Sequence, residues 1–195
     1  FIPVSQSPHK LDDQPTSSLH RVAMLELALE QETAFSIELL EVQKGGVSYT
    51  IDTLSRLKEK HPDWEFFLIL GADAFLLMDT WKSFTEIIKL CHVLVGTRPG
   101  VKLEVPDKLS QTLGLKKTPL ENNDLILPMT LSTTTEKTIR LYQIPTPNIS
   151  SREIRKKVQA GKEIKNLLPP AVDHYIMHHR LYRTESPPIK NANKV

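Results

Sequence analysis

The sequence predicts an α/β fold in which a parallel sheet carries helices on both faces. Three observations carry that prediction. Short apolar segments alternate with amphipathic ones along the chain. The segment Trp64 to Leu70 is almost continuously apolar, as in a strand buried on both faces. Ser83 with Glu86, and Ser150 with Glu153, have the spacing of capping boxes that open helices directly after loops.

Taken in order, Phe1 to Val4 reads as a short strand and Ser5 to Gln14 as the loop after it. Thr16, Ser17 and Ser18 are three candidate caps for a helix holding Val22, Leu25, Ala28 and Leu29 on one face. A strand is expected near Phe35 to Val42, broken by Gly45 and Gly46. Ser48-Tyr49-Thr50 introduces a second helix with Ile51, Leu54 and Leu57 aligned, and Pro62 follows its end. The strand from Trp64 stops at Gly71. A helix through Ile87, Ile88 and Leu90 leads into a buried strand at His92 to Thr97, and Arg98-Pro99-Gly100 turns the chain.

Val101 to Thr138 is polar, Thr-rich and interrupted by proline, and yields no detailed reading. Ile139 to Ile144 is a strand, Ser150 starts a helix that Gly161 can end, and Pro169-Pro170 opens a last helix to about Leu181. The tail from Thr184 is nearly devoid of apolar residues and is expected to be disordered, leaving residues 1–183 as one domain.

Composition narrows the function classes. At 195 residues and 39% hydrophobic content, one full core is affordable. A net charge of +2 argues against a general polyanion binder, so any anion site must be local. A single cysteine excludes an internal disulfide framework and suits a reducing, cytoplasmic setting. No apolar run approaches the roughly 20 residues of a membrane span, and the first residues do not read as a signal peptide. His20, His61, His92, His174, His178 and His179 show no spacing for a metal site.

In open α/β sheets ligands gather beyond the carboxyl ends of strands, which singles out three segments. Ser150 and Ser151 combine hydroxyls with the unpaired amides of a helix start, and Arg155 lies one turn on, a combination suited to phosphate. Spacing alone leaves an ordinary capped surface helix as the alternative. His9 and Lys10 follow a strand and can reach phosphate oxygens, or can be a solvated loop pair. Gly71 permits close backbone approach and Asp73 can accept from ribose hydroxyls, or can cap the next helix. Trp81 can stack on a flat ring or serve as a core anchor.

Five motifs occur together in order: Phe1-Ile-Pro-Val with His9-Lys10, Gly45-Gly46-x-Ser48-Tyr49-Thr50-x-Asp52-Thr53-Leu54, Leu70-Gly71-Ala72-Asp73-x-Phe75 followed by Trp81, Arg98-Pro99-Gly100, and Ile149-Ser150-Ser151-x-x-Ile154-Arg155. In this register the chain, from Phe1 to about Tyr182, resembles the bacterial nicotinate-nucleotide adenylyltransferases. Leu168-Pro169-Pro170-x-Val172 and Tyr175-Ile176 also look like that family's C-terminal helix entry.

The resemblance implies a Rossmann-like nucleotidyltransferase fold and adenylyl transfer from ATP to nicotinate mononucleotide in NAD biosynthesis, with Mg²⁺ accompanying ATP. It implies ATP contacts from Gly71, Asp73, Ser150, Ser151 and Arg155, and catalytic roles for His9, Lys10 and Arg155. Ser48, Tyr49, Thr50, Trp81 and Arg98 would surround the nicotinate nucleotide. Arg152 stands where the family often has threonine, so no hydroxyl contact is carried over there. The family also has a front strand and a Gly-x-Phe-Asp-Pro-x-His-x-Gly-His loop that this sequence does not contain, so such a segment is expected ahead of Phe1 and little transfer is expected without it. Implied partners are ATP and nicotinate mononucleotide, with neither nucleic acid nor membrane, and a homo-oligomer left open. The rival readings are an adenylyltransferase for another acceptor, such as nicotinamide mononucleotide or a pantetheine phosphate, and a nucleotide-binding module without catalysis.

Overall fold

A computed structural model describes residues 1–8, 16–97, 105, 107–114, 116–118, 129–132, 136–144 and 149–183. It divides into two compact units, one formed by residues 5–11 and 43–147 and the other by residues 1–4, 12–42 and 148–195.

The unit built on residues 43–147 contains the sheet. Its helix α3 (Thr50–Lys60) follows the left-handed pair Gly45 (φ 70°) and Gly46 (φ 66°), a backbone that glycine adopts without a Cβ penalty. Strand β1 (Phe66–Gly71) leads directly into the short helix α4 (Ala72–Leu76) and a 3-10 turn at Met78–Thr80. Helix α5 (Phe84–Leu90) then feeds β2 (Cys91–Thr97). After α6 (Asp107–Leu113), the segments β3 (Lys116–Thr118), β4 (Met129–Ser132) and β5 (Thr138–Gln143) complete the sheet.

The strand order is β1-β2-β5-β4-β3. β1, β2 and β5 are parallel, in the register Leu68↔Val93 and Val95↔Leu141. The expected parallel sheet is therefore present, and the region that yielded no detailed reading adds two antiparallel strands, with Leu131 opposite Ile139. Phe75, Met78, Ile87, Cys91, Val93, Val95 and Ile139 are fully buried and form the centre of this unit.

The second unit packs α1 (Ser18–Leu29), α7 (Ser151–Gln159) and α8 (Pro170–His178) around Ile154, Val158, Ile164, Val172 and Ile176. Ser17 is the cap chosen among the three candidates, its hydroxyl accepting from the His20 amide. Ser150 Oγ accepts from the Glu153 amide at 3.1 Å, as expected. At the other end of α7, the Gly161 amide donates to Val158 O and the Lys162 amide to Lys157 O, with Gly161 at φ 66°, which is a Schellman closure. The last helix stops at His178 rather than Leu181, and Arg180 and Tyr182 take positive φ.

Several expectations require correction. Phe1 to Val4 is not a strand, since among the described residues it has no ladder partner beyond the pair of bonds from Phe1 to Ser36 O and Glu38 N. Phe35 to Val42 is likewise not a strand, and Leu40–Lys44 instead forms the short helix α2. β1 is not buried on both faces. It stands at one end of the strand order and its burial alternates, with Ile69 72% and Phe67 46% exposed. Ser83 sits at the N-cap of α5 but in the left-handed region (φ 51°) with no side-chain cap bond; its carbonyl accepts from the Glu86 amide, and Glu86 pairs with Lys89 at 2.7 Å. The tail from Thr184 lies outside the described residues. Among the described residues, no helix is long and apolar enough to cross a membrane.

Candidate functional site

In the sheet-containing unit, the carboxyl end of β1 delivers Gly71 and Asp73 to the surface. Gly71 caps α4 with φ −74°, and a Cβ built on it would meet nothing within 4 Å. Glycine is therefore not demanded by the local backbone, and the open space beside it suits approach by a ligand. Asp73 is exposed in the first turn of α4, and because Gly71 holds the cap position, Asp73 is not the capping residue.

On the α3 side of the same unit, Tyr49 is the N-cap residue of α3 and Thr50 its first residue. Ser48 does not cap the helix. Its amide donates to Gln6 O, while its hydroxyl is buried without a hydrogen-bond partner among the described residues. Trp81 closes the 3-10 turn, its amide donating to Met78 O, and its ring packs partly buried against the core. Both roles weighed for Trp81 are thus physically available to one side chain: an anchored ring with a remaining accessible surface.

Lys82, next to Trp81, joins these two segments. Its Nζ lies 4.6 Å from the centroid of the Tyr49 ring and donates to both carboxylate oxygens of Asp52, at 3.0 and 3.3 Å. Lys44 approaches the same carboxylate at 3.9 Å. The sequence reading placed Asp52 in a motif without a role and passed over Lys82 and Lys44. A lone lysine carries no periodic signal, and residues 30 apart meet only once α3 and the 3-10 turn are packed.

Ser150, Ser151 and Arg155 belong to the other unit. The Ser150 hydroxyl is occupied as the cap, whereas Ser151 and Arg155 are exposed and line a cavity of about 500 Å³ with Arg21, Met24, Ile154 and Tyr182. The Arg155 guanidinium stands 6.0 Å over the Tyr182 ring. Arg21 is held by its bond to Thr16 O at 3.0 Å. Arg21 and Tyr182 were not singled out from sequence, because their place at the start of α7 depends on packing of α1 and of the segment after α8.

His9, Lys10 and Arg98 lie outside the described residues. Cys91, which no motif used, is fully buried and donates to Ile87 O. Burial pushes its thiol up to about 11, against smaller opposing effects from the Leu68 backbone and Lys137. It is thereby removed from nucleophilic chemistry near neutral pH. His92 is also structural: the Thr138 amide donates to Nδ1 at 3.1 Å, which leaves Nε2 as the donor to Glu65 at 3.0 Å.

The sequence matches the cytidylyltransferase-like family over residues 1–157. A Herpetosiphon aurantiacus protein named probable nicotinate-nucleotide adenylyltransferase is 34% identical over 182 residues, spanning 93% of this chain and 81% of its own length. A Desulfitobacterium hafniense protein of the same name is 36% identical over 183 residues, spanning 94% of this chain and 80% of its own. Among solved structures, Plasmodium falciparum nicotinic acid mononucleotide adenylyltransferase complexed with NaAD is similar with a TM-score of 0.61 at 20% identity, covering 89% of this chain and 78% of that one. At that identity the likeness bears on fold, and it agrees with the Rossmann-type arrangement of β1, β2 and β5. The chain belongs to the cytidylyltransferase-like family and, within it, to the nicotinate-nucleotide adenylyltransferases.

Proposed function

We propose that the protein transfers the adenylyl group of ATP to nicotinate mononucleotide, giving nicotinate adenine dinucleotide and pyrophosphate in cytoplasmic NAD biosynthesis. The observation that carries this reading is identity of 34% across 93% of the chain to a relative bearing that name. A phosphate oxygen of the mononucleotide attacks the α-phosphorus of ATP, a bond forms there, and the bond to the bridging oxygen of the β-phosphate breaks as pyrophosphate leaves. The attacking phosphate is already anionic near neutral pH, so alignment and charge neutralisation are required rather than a general base.

Gly71 and Asp73 take the adenosine side, with Gly71 admitting the ligand to the backbone and Asp73 accepting from ribose hydroxyls. Ser150 and Ser151 present helix-start amides, and Ser151 with Arg155 offers a hydroxyl and a guanidinium to the ATP phosphates. His9, Lys10 and Arg155 neutralise charge at the transfer centre, and Arg98 serves the mononucleotide. Ser48, Tyr49, Thr50 and Trp81 surround the pyridine ring. Mg²⁺ enters with ATP as part of the substrate. Among the described residues no group of three or more His, Cys, Asp or Glu is arranged to hold a metal, and Mg²⁺ is ordinarily satisfied by substrate phosphates, water and one or two carboxylates.

The direct test is pyrophosphate release from ATP with nicotinate mononucleotide, nicotinamide mononucleotide and a pantetheine phosphate offered in turn. Nicotinate mononucleotide is expected to give the highest kcat/KM. A higher value for either alternative acceptor would replace the substrate in this reading, and ATP binding without pyrophosphate release would replace the reaction.

A further inference from the structure

We propose that Tyr182 is a positioning residue for ATP, its ring holding the Arg155 guanidinium where the polyphosphate meets the start of α7. The inference rests on the phosphate role given to Arg155 above and concerns the segment after α8, to which no motif gave a task.

Three observations in the unit that holds α1, α7 and α8 converge on it. First, Arg155 is exposed, and its guanidinium forms no hydrogen bond or ion pair among the described residues; what stands against it is the Tyr182 ring, at 6.0 Å. Arg21, the other guanidinium lining the same cavity, differs in being tied to Thr16 O at 3.0 Å. Second, the backbone that brings Tyr182 there is unfavourable for its residue type. The Arg180 amide donates to Met177 O and the Leu181 amide to Ile176 O, so α8 ends in a Schellman closure with Arg180 left-handed at φ 51°. Tyr182 lies beyond that closure and is left-handed again, at φ 63°. Ending the helix needs only one such residue, and a second that carries a Cβ persists only where its surroundings over-determine it. Third, the surroundings do so. Leu181 and Tyr182 both pack against the buried cluster of Ile154, Val172 and Ile176, which seats the ring without help from a ligand.

An arginine on a helix surface samples many rotamers, and a ligand that freezes it must offset the entropy lost. Support from an acidic side chain would restrict the guanidinium too, but it would cancel the charge and occupy the N–H groups that phosphate needs. A ring face attracts the same group through its quadrupole and leaves both the charge and the donors available. Tyr182 therefore restricts Arg155 at the mouth of the cavity without competing with the polyphosphate, and the strained backbone at the end of the described chain is what sets the ring in place.

The test is calorimetric titration of ATP and of nicotinate mononucleotide into the protein, Tyr182→Leu, Tyr182→Phe, Arg155→Ala and the double variant Tyr182→Leu with Arg155→Ala, with circular dichroism confirming each fold. Tyr182→Leu is expected to weaken ATP binding about two- to fivefold, the worth of an exposed cation–π contact, and to leave the mononucleotide unaffected. Tyr182→Phe, which keeps the ring, should restore the affinity for ATP. In the Arg155→Ala background Tyr182→Leu should have no further effect, because the ring acts only through the guanidinium. Equal losses for both ligands in Tyr182→Leu, no loss, or a loss that persists undiminished in the double variant would overturn the assignment. If Tyr182→Leu does not fold, Tyr182→Met, whose flexible side chain fills irregular space, takes its place in the same comparisons. ATP binding that Arg155→Ala leaves unchanged would overturn the phosphate role of Arg155 itself, an outcome distinct from a loss in Arg155→Ala that Tyr182→Leu does not share.

Discussion

Single side chains separate structural from ligand-directed roles most clearly where the structure gives them nothing else to do. Gly71 has an ordinary φ and open space around its missing Cβ, so Gly71→Ala is expected to keep the thermal midpoint while raising the KM for ATP. Asp73→Ala and Arg155→Ala, both at exposed positions, should lose about tenfold to a hundredfold in kcat/KM for ATP, the worth of a charge-assisted hydrogen bond. Unchanged ATP kinetics in all three would remove Gly71, Asp73 and Arg155 from the nucleotide site. Trp81→Ala should raise the KM for nicotinate mononucleotide more than that for ATP, since ring stacking is worth about 1 to 3 kcal/mol. Equal losses for the two substrates would identify the indole as a core residue, as its packing against the buried cluster also permits.

Cys91 makes a pH prediction with a definite sign. The folded thiol holds its proton to about pH 11, whereas an unperturbed one ionises near 9.0. The unfolded chain therefore sheds the proton first, and this contribution is intact below about pH 9 and is lost as pH rises from there towards 11. Denaturation curves of the protein and of Cys91→Ala should converge in stability over that interval, and the native thiol should resist alkylation at pH 8 until denaturant is added.

At the scale of elements, helix ends follow local chemistry wherever the cap needs no distant partner. Ser150 and Gly161 bracket α7 as the sequence indicates, because a hydroxyl three residues from an amide and a left-handed glycine are local devices. Gly161→Ala should cost about 1 to 2 kcal/mol from the left-handed backbone alone, since a Cβ there meets no atom within 4 Å. A chemical-denaturation curve checks it, and a neutral result would mean that the turn after α7 relaxes. Ser83 shows where the local rule fails. The box spacing is present, but the tight exit from the Met78–Thr80 turn through Trp81 and Lys82 puts Ser83 at φ 51°, and Glu86 is taken by Lys89.

For the whole molecule, two buried clusters carry the apolar core, one around Phe75, Ile87 and Val93 and one around Ile154, Val172 and Ile176. The single-domain reading of residues 1–183 predicts one cooperative transition by calorimetry. Phe75→Ala should cost about 3 to 5 kcal/mol and Ile176→Ala about 2 to 5 kcal/mol, and each should move that same transition. Two transitions, each moved by only one substitution, would divide the chain into separately folding units.

The sequence by itself determined the class of fold, the buried strand at His92 to Thr97, the strand at Ile139 and the helix start at Ser150, and it narrowed the start of α1 to three candidate caps, because periodicity and caps are written in neighbouring residues. It also carried the family in five short motifs. Tertiary structure decided the rest. An apolar run such as Phe66 to Leu70 does not record which of its faces will be covered: Phe66, Leu68 and Leu70 pack against the buried cluster, whereas Phe67 and Ile69 on the other face are exposed. Phe1 to Val4 and Phe35 to Val42 have strand-like composition but join no ladder among the described residues, and a strand exists only through its neighbours. The meeting of Lys82 with Asp52 and Tyr49 was illegible for the same reason, since contacts between residues 30 and 33 positions apart have no period and arise only when α3 and the turn before α5 are brought face to face.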